Sequence, residues 1–170
     1  EFELLVKRDD LVSSLYGGNK VRSLQHQLAI CEARRERGES QFRQLVSLGS
    51  GGSNQVLATV VHARALGWGN DNEEDDDDAP RVNVCWLDKD EPDLDNTLNM
   101  LSVFSFPNVG WRFNWGDGVG ITQFLLALRG IWTTQKKGFV PMMPGGNTPS
   151  GVLGQVGGLL ELTEQIVSGE

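Results

Sequence analysis

The sequence predicts an α/β fold built on a mostly parallel sheet. Short apolar runs alternate with helical stripes at close spacing, as βαβ units do. Glycine-rich turns follow two of these runs, at 49–54 and 144–151, and sheets of this kind bind ligands beyond the carboxyl ends of their strands. The 170 residues are 39% hydrophobic and 22% charged, an ordinary balance for a globular chain that buries a core.

The elements follow in order. "FELLVKRDDL" (2–11) opens apolar and turns polar, which predicts a short strand or an extended entry, with Arg8, Asp9 and Asp10 placed to anchor it by ion pairs. From Lys20 to Arg37 apolar residues recur at Val21, Leu24, Leu28 and Cys31, the spacing of a helix that Gly38 closes. "FRQLVSL" (42–48) is a strand running into "GSGGSN" (49–54). The helix after it sets Val56, Leu57, Val60 and Val61 on one face and ends near Gly67. "RVNVCWL" (81–87) is a buried-type strand, "NTLNMLSVF" (96–104) a helix, "VGWRFNW" (109–115) a strand and "GITQFLLALRGIW" (120–132) a helix. "GFVPMM" (138–143) is a strand at an edge or an end, because Pro141 lacks an N–H for an inner ladder. "PGGNTPSG" is a loop before the last helix, 151–167. Trp111, Trp115 and Trp132 are expected to pack this core, with Trp115 edging a pocket.

The net charge of −8 is local, since seven acidic residues lie in "DNEEDDDD" (71–78) and taking them away leaves −1. Such a run reads as a solvated loop insert, 70–80, and "DKDEPDLD" (88–95) adds five more acids. That face repels nucleic acid. No stretch approaches the roughly 20 apolar residues of a membrane span. The chain begins at Glu1 rather than Met, which points to a cropped N-terminus. The cytoplasm is the expected compartment, with an organelle as the alternative. Cys31 and Cys85 sit 54 positions apart in apolar patterns and read as buried free thiols. No metal-ligand spacing is evident, and His26 and His62 lie in helices without a ligand-spaced partner.

Lys20 stands at the start of a helix, after "YGGN", where the backbone already carries partial positive charge. Crowding by backbone and the nearby Arg22 lead to the expectation of an amine nucleophile at this lysine. "SLGSGGSNQ" (47–55) is a strand-to-helix turn that offers Ser53, Asn54 and Gln55 to a ligand. A Walker loop is excluded, because Lys20 is preceded by Asn19 and followed by Val21. A dinucleotide site on Gly49 and Gly51, with Asp88 at a ribose, remains an alternative, although Asn54 stands where the third glycine belongs.

"KRDDL…YGGNKVRSL", "SLGSGGSNQ" and "PGGNTPSGVLGQVGGLLEL", in that order, resemble the 1-aminocyclopropane-1-carboxylate deaminase / D-cysteine desulfhydrase family. These are pyridoxal-phosphate (PLP) enzymes of fold type II, the tryptophan-synthase-β fold. The resemblance implies that Lys20 forms the Schiff base with PLP. It implies that Asn54 hydrogen-bonds the cofactor's phenolic oxygen, and that Ser53, Asn54 and Gln55 receive the substrate, with Ser53 assisting proton transfer. Tyr16, Gly17, Gly18 and Asn19 shape the approach to the lysine, and Gly145, Gly146 and Asn147 are structural.

By this resemblance, residues 1–49 are a piece of the large domain, 50–143 a nearly complete small domain, and 144–170 the return to a truncated large domain. The implied activity is deamination or β-elimination of a small amino acid to an α-keto acid and ammonia, by a homodimer when full length. The family's phosphate-holding loop lies downstream of the "LGQVGG" helix, beyond Glu170. A fragment or a non-catalytic truncated paralogue that binds no cofactor is therefore the competing expectation.

Overall fold

The computed structural model of the protein describes residues 4–39, 44–69, 81–86, 93–114 and 139–169, with only the backbone of 111–114 and 139. The acidic insert, Asp88, Trp115, Trp132 and the expected 120–132 helix lie outside these residues, as do the side chains of Trp111 and its strand neighbours. The elements are α1 (Asn19–Glu36), β1 (Gln44–Gly49), α2 (Asn54–Ala65), β2 (Arg81–Trp86), α3 (Leu94–Ser105), β3 (Val109–Asn114), β4 (Phe139–Met142) and α4 (Pro149–Ser168). The fold is α/β, and the described strands form a four-stranded sheet in the order β3-β2-β1-β4 in which every described pairing is parallel.

The 2–11 segment forms no strand among the described residues, and its one regular element there is a 3-10 turn at Asp9–Leu11. Pro141 stands in β4, which pairs with β1 and ends the sheet on that side, as its missing N–H requires. Gly38 follows α1 with φ +76°, the left-handed closure expected of it.

The core lies between one sheet face and the helices α1, α2 and α3. Leu45 aligns with Val82 and Val140, and Ser47 with Val84 and Met142, so these side chains share a face. Leu24, Leu28 and Cys31 of α1, Val56, Leu57, Val60 and Ala63 of α2, and Val103 of α3 pack on it. A single apolar face on α2 underestimates its burial. Every residue from Gln55 to Val60 is buried, because α1 lies on one side of the helix and α3 on the other. The tryptophans in the described core are Trp68 and Trp86; the expectation for Trp111, Trp115 and Trp132 lies outside the described side chains. Trp68 sits under the Arg35 guanidinium, 5.0 Å from the ring centroid, and donates to Glu32 at 2.5 Å.

The second face of α1 is polar and equally buried. Arg22 is 6% exposed and donates to Asp9 at 2.9 Å and to Glu161 of α4 at 2.8 Å. The Lys7 ammonium, followed by Arg22, holds the Glu161 carboxyl below the usual carboxylate range. Asp9 thus anchors the N-terminal segment to α1 as expected, while Arg8 pairs with its neighbour Asp10. Gly151, Gly154 and Gly158 line the side of α4 against this face, and a Cβ on Gly154 would overlap the carbonyl oxygen of Arg22. The other side of α4 leaves Val152, Leu153, Leu159 and Leu160 exposed.

Burial pushes the thiols of Cys31 and Cys85 up to about 11, from an ordinary 9.0. The folded chain therefore holds these protons more tightly than the unfolded one. The contribution is whole below about pH 9 and is lost as the pH rises towards 11. A thiol reagent at pH 8 is expected to label neither cysteine in the native protein and both in urea. Native labelling at either position would refute their burial.

Candidate active site

The chain lays down β1, β2 and β3 in one direction and then places β4 on the far side of β1. The strand order therefore reverses between β1 and β4, the place where open parallel sheets bind ligands, beyond the carboxyl ends of their strands. Three segments meet at that end of the sheet: the entry to α1, the loop from Gly49 to Asn54, and the turn Pro144–Gly146. The third is held on α1, where Gln27 Nε2 donates to the Gly146 carbonyl at 3.3 Å.

Lys20 lies in the first turn of α1, half-buried, and makes no hydrogen bond or ion pair among the described residues. Gly18 precedes it with φ +102°, a conformation open to glycine that turns the chain into the helix. Gln155 of α4 donates to the Asn19 carbonyl and to Ser23 Oγ, both at 2.8 Å, and so fixes this first turn from outside. Arg22 does not act on Lys20 as a free cation, since its charge is engaged by Asp9 and Glu161.

Ser53 caps α2 through its carbonyl, which accepts from Val56 and Leu57, and its hydroxyl makes no capping bond. Asn54 and Gln55 begin the helix. Asn54 Oδ1 accepts from the Tyr16 hydroxyl at 3.1 Å and from Asn99 Nδ2 at 2.8 Å. The Tyr16 carbonyl is in turn held by His62 Nε2 at 3.0 Å, which requires the proton on that nitrogen. The segment that carries Lys20 is thereby tied at two points to the helix that begins with Asn54. Gln55 is 1% exposed, and neither polar atom of its side chain has a partner among the described residues. Ser47 Oγ and Trp86 Nε1 are likewise buried with no partner among the described residues. Unpaired buried polar groups are costly, and three of them near the ends of β1 and β2 mark this region as polar ground.

The structure thus brings Ser53, Asn54 and Gln55 together and joins them to the Lys20 segment through Tyr16. Asn99, His62 and Gln155 were not legible as contributors, since each reaches its partner across the tertiary structure with no local motif to announce it. The glycines of the loop have packing reasons of their own. A Cβ on Gly49 would stand 2.7 Å from Ser53 Cβ and 2.9 Å from Val56 Cγ2, and one on Gly52 would overlap the Asn96 backbone. A dinucleotide is not needed to explain them. A cavity of about 420 Å³ lies elsewhere, lined by Leu5, Val6, Lys7, Leu162 and Ile166 among others, and includes none of the four expected site residues.

This architecture defines a parallel α/β protein whose strand order reverses between β1 and β4. No family model matches the sequence, and no curated protein does. Among solved structures, the crystal structure of an ACC deaminase homologue matches with a TM-score of 0.59 and 23% identity. The match covers 94% of this chain and 42% of that one, so the chain spans less than half the length of its structural neighbour. Identity at that level establishes shared fold. No described helix is long and apolar enough to cross a membrane.

Proposed function

We propose that the whole protein is a PLP-dependent enzyme that converts a small amino acid, of the D-cysteine or 1-aminocyclopropane-1-carboxylate type, to an α-keto acid and ammonia. The observation that carries this reading is the uncommitted amine of Lys20 in a segment tied by Tyr16 to Asn54. The groups present suit the cofactor. Lys20 supplies an amine, Asn54 has its acceptor filled and its amide N–H groups without a partner among the described residues, and Gln55 is a buried amide in want of one.

In this reading Lys20 would hold the cofactor and, once released from it, move a proton at the substrate carbon. Asn54 would orient the ring by donating to its phenolic oxygen. Ser53 Oγ and the Gln55 amide would receive the substrate carboxylate, with Ser53 assisting proton transfer. PLP, when bound, supplies an electron sink for the carbanion. Residues 50–143 would form the smaller of two domains, and the active form would be a homodimer.

The test is to add PLP to the purified protein, reduce with borohydride and map the adduct by mass spectrometry. A visible band that borohydride removes, with the added mass on Lys20 and none in Lys20→Ala, is expected. An adduct spread over surface lysines, or none in this chain and in any longer form of it, would overturn the assignment. That result would leave a non-catalytic member of the fold.

A further inference from the structure

We infer that Asn99, on α3, is a positioning residue that fixes the polarity of the Asn54 amide. The Asn99 Nδ2 group donates twice, to the Gly52 carbonyl at 3.0 Å and to Asn54 Oδ1 at 2.8 Å. A backbone carbonyl only accepts, so Asn99 must turn its NH2 towards Gly52. The same NH2 faces Asn54, which must answer with oxygen. The Tyr16 hydroxyl then fills the second lone pair of that oxygen at 3.1 Å. Reversing Asn54 would set its NH2 against the NH2 of Asn99, donor against donor. The direction of the whole chain of amides is therefore set by one peptide carbonyl that cannot change character.

Both lone pairs of Asn54 Oδ1 are thus consumed inside the protein, whereas its Nδ2 has no partner among the described residues and lies on an exposed side chain. The site offers a ligand a donor that is already oriented, and it selects an acceptor oxygen at this point over a hydroxyl that must donate. That the acceptor is the phenolic oxygen of PLP rests on the function proposed above; the polarity of the amide does not. Asn99 belongs to neither the Lys20 segment nor the 49–55 loop. It makes α3 a third support of the site, through a side chain as well as through the close approach of Asn96 to Gly52.

The test uses two variants of the full chain without cofactor, followed by side-chain amide NMR. Asn99→Asp presents only acceptors, so Asn54 is expected to turn its NH2 inward. Its amide protons should then move downfield and exchange more slowly than in the wild type. Asn99→Ser cannot bridge the two partners, and the Asn54 amide should lose its single orientation and broaden. A PLP titration forms the second arm. The apparent affinity should fall about tenfold in Asn99→Asp, as reversal of one hydrogen bond predicts, and less in Asn99→Ser. Asn54 amide protons that keep wild-type shifts and exchange in both variants would overturn the inference. If the wild type itself fails to take PLP on Lys20, the cofactor reading falls while the NMR arm still judges Asn99.

Discussion

Alanine at Gly154 is expected to lower the melting temperature by roughly 5–10 °C, while alanine at Gly157, three residues along the same helix, raises it by about 2–4 °C. Both changes gain about 1 kcal/mol of helix propensity, since glycine is the poorer helix former. What separates them is the space around the new Cβ. At Gly157 nothing lies within 4 Å. At Gly154 the methyl would overlap the Arg22 carbonyl oxygen and stand 2.6 Å from its carbon, so backbone must move against backbone. Overpacking of this kind costs about 3 kcal/mol at the upper end of its usual range, which outweighs the propensity gain. Separating α1 from α4 also loosens the Arg22 bonds to Glu161 and the Gln155 bonds to the first turn of α1. Thermal unfolding of the two variants side by side decides the matter, and equal shifts of the same sign would show that these helices are not in close contact.

Alanine at Gly52 combines a stability loss with a loss at the site. The residue holds φ +73°, which costs a side-chain-bearing residue about 1–2 kcal/mol, and its Cβ would overlap the backbone of Asn96. With overpacking of about 1–3 kcal/mol, the sum is roughly 2–5 kcal/mol, a large share of the 5–15 kcal/mol typical of a folded chain. The same peptide carries the carbonyl that anchors Asn99. Gly52→Ala should therefore lower the denaturation midpoint and also disturb the Asn54 amide resonances under conditions where the protein is still folded. A variant with near wild-type stability would contradict the close approach of this loop to α3.

Apolar runs and stripes located β1–β4 and α1–α4, because they read apolar faces, and missed the 3-10 turn at Asp9–Leu11. They did not show the opposite face of α1, where Arg22, Ser23 and Gln27 are as buried as the leucines. Those side chains are buried because ion pairs and amides satisfy them, and hydropathy carries no trace of that. The glycines of α4 likewise look like helix breakers in sequence and act as a flat surface for α1. Strand order was also beyond reach, since the position of β4 beside β1 depends on a crossover that no local pattern records. At the candidate site, Lys20 and the 53–55 loop stand out as short motifs. Their supports do not, because Tyr16, Asn99 and His62 meet their partners from 38 to 46 positions away.

Tyr16 has one further property, which follows from composition. It is the only tyrosine in the chain, and burial raises its phenol above its ordinary value of 10.0. All tyrosinate absorbance in an alkaline titration therefore originates at one hydroxyl, the one that bonds Asn54. The protein carries its own optical gauge of whether the approach to Lys20 is seated on α2, readable without label, ligand or mutation.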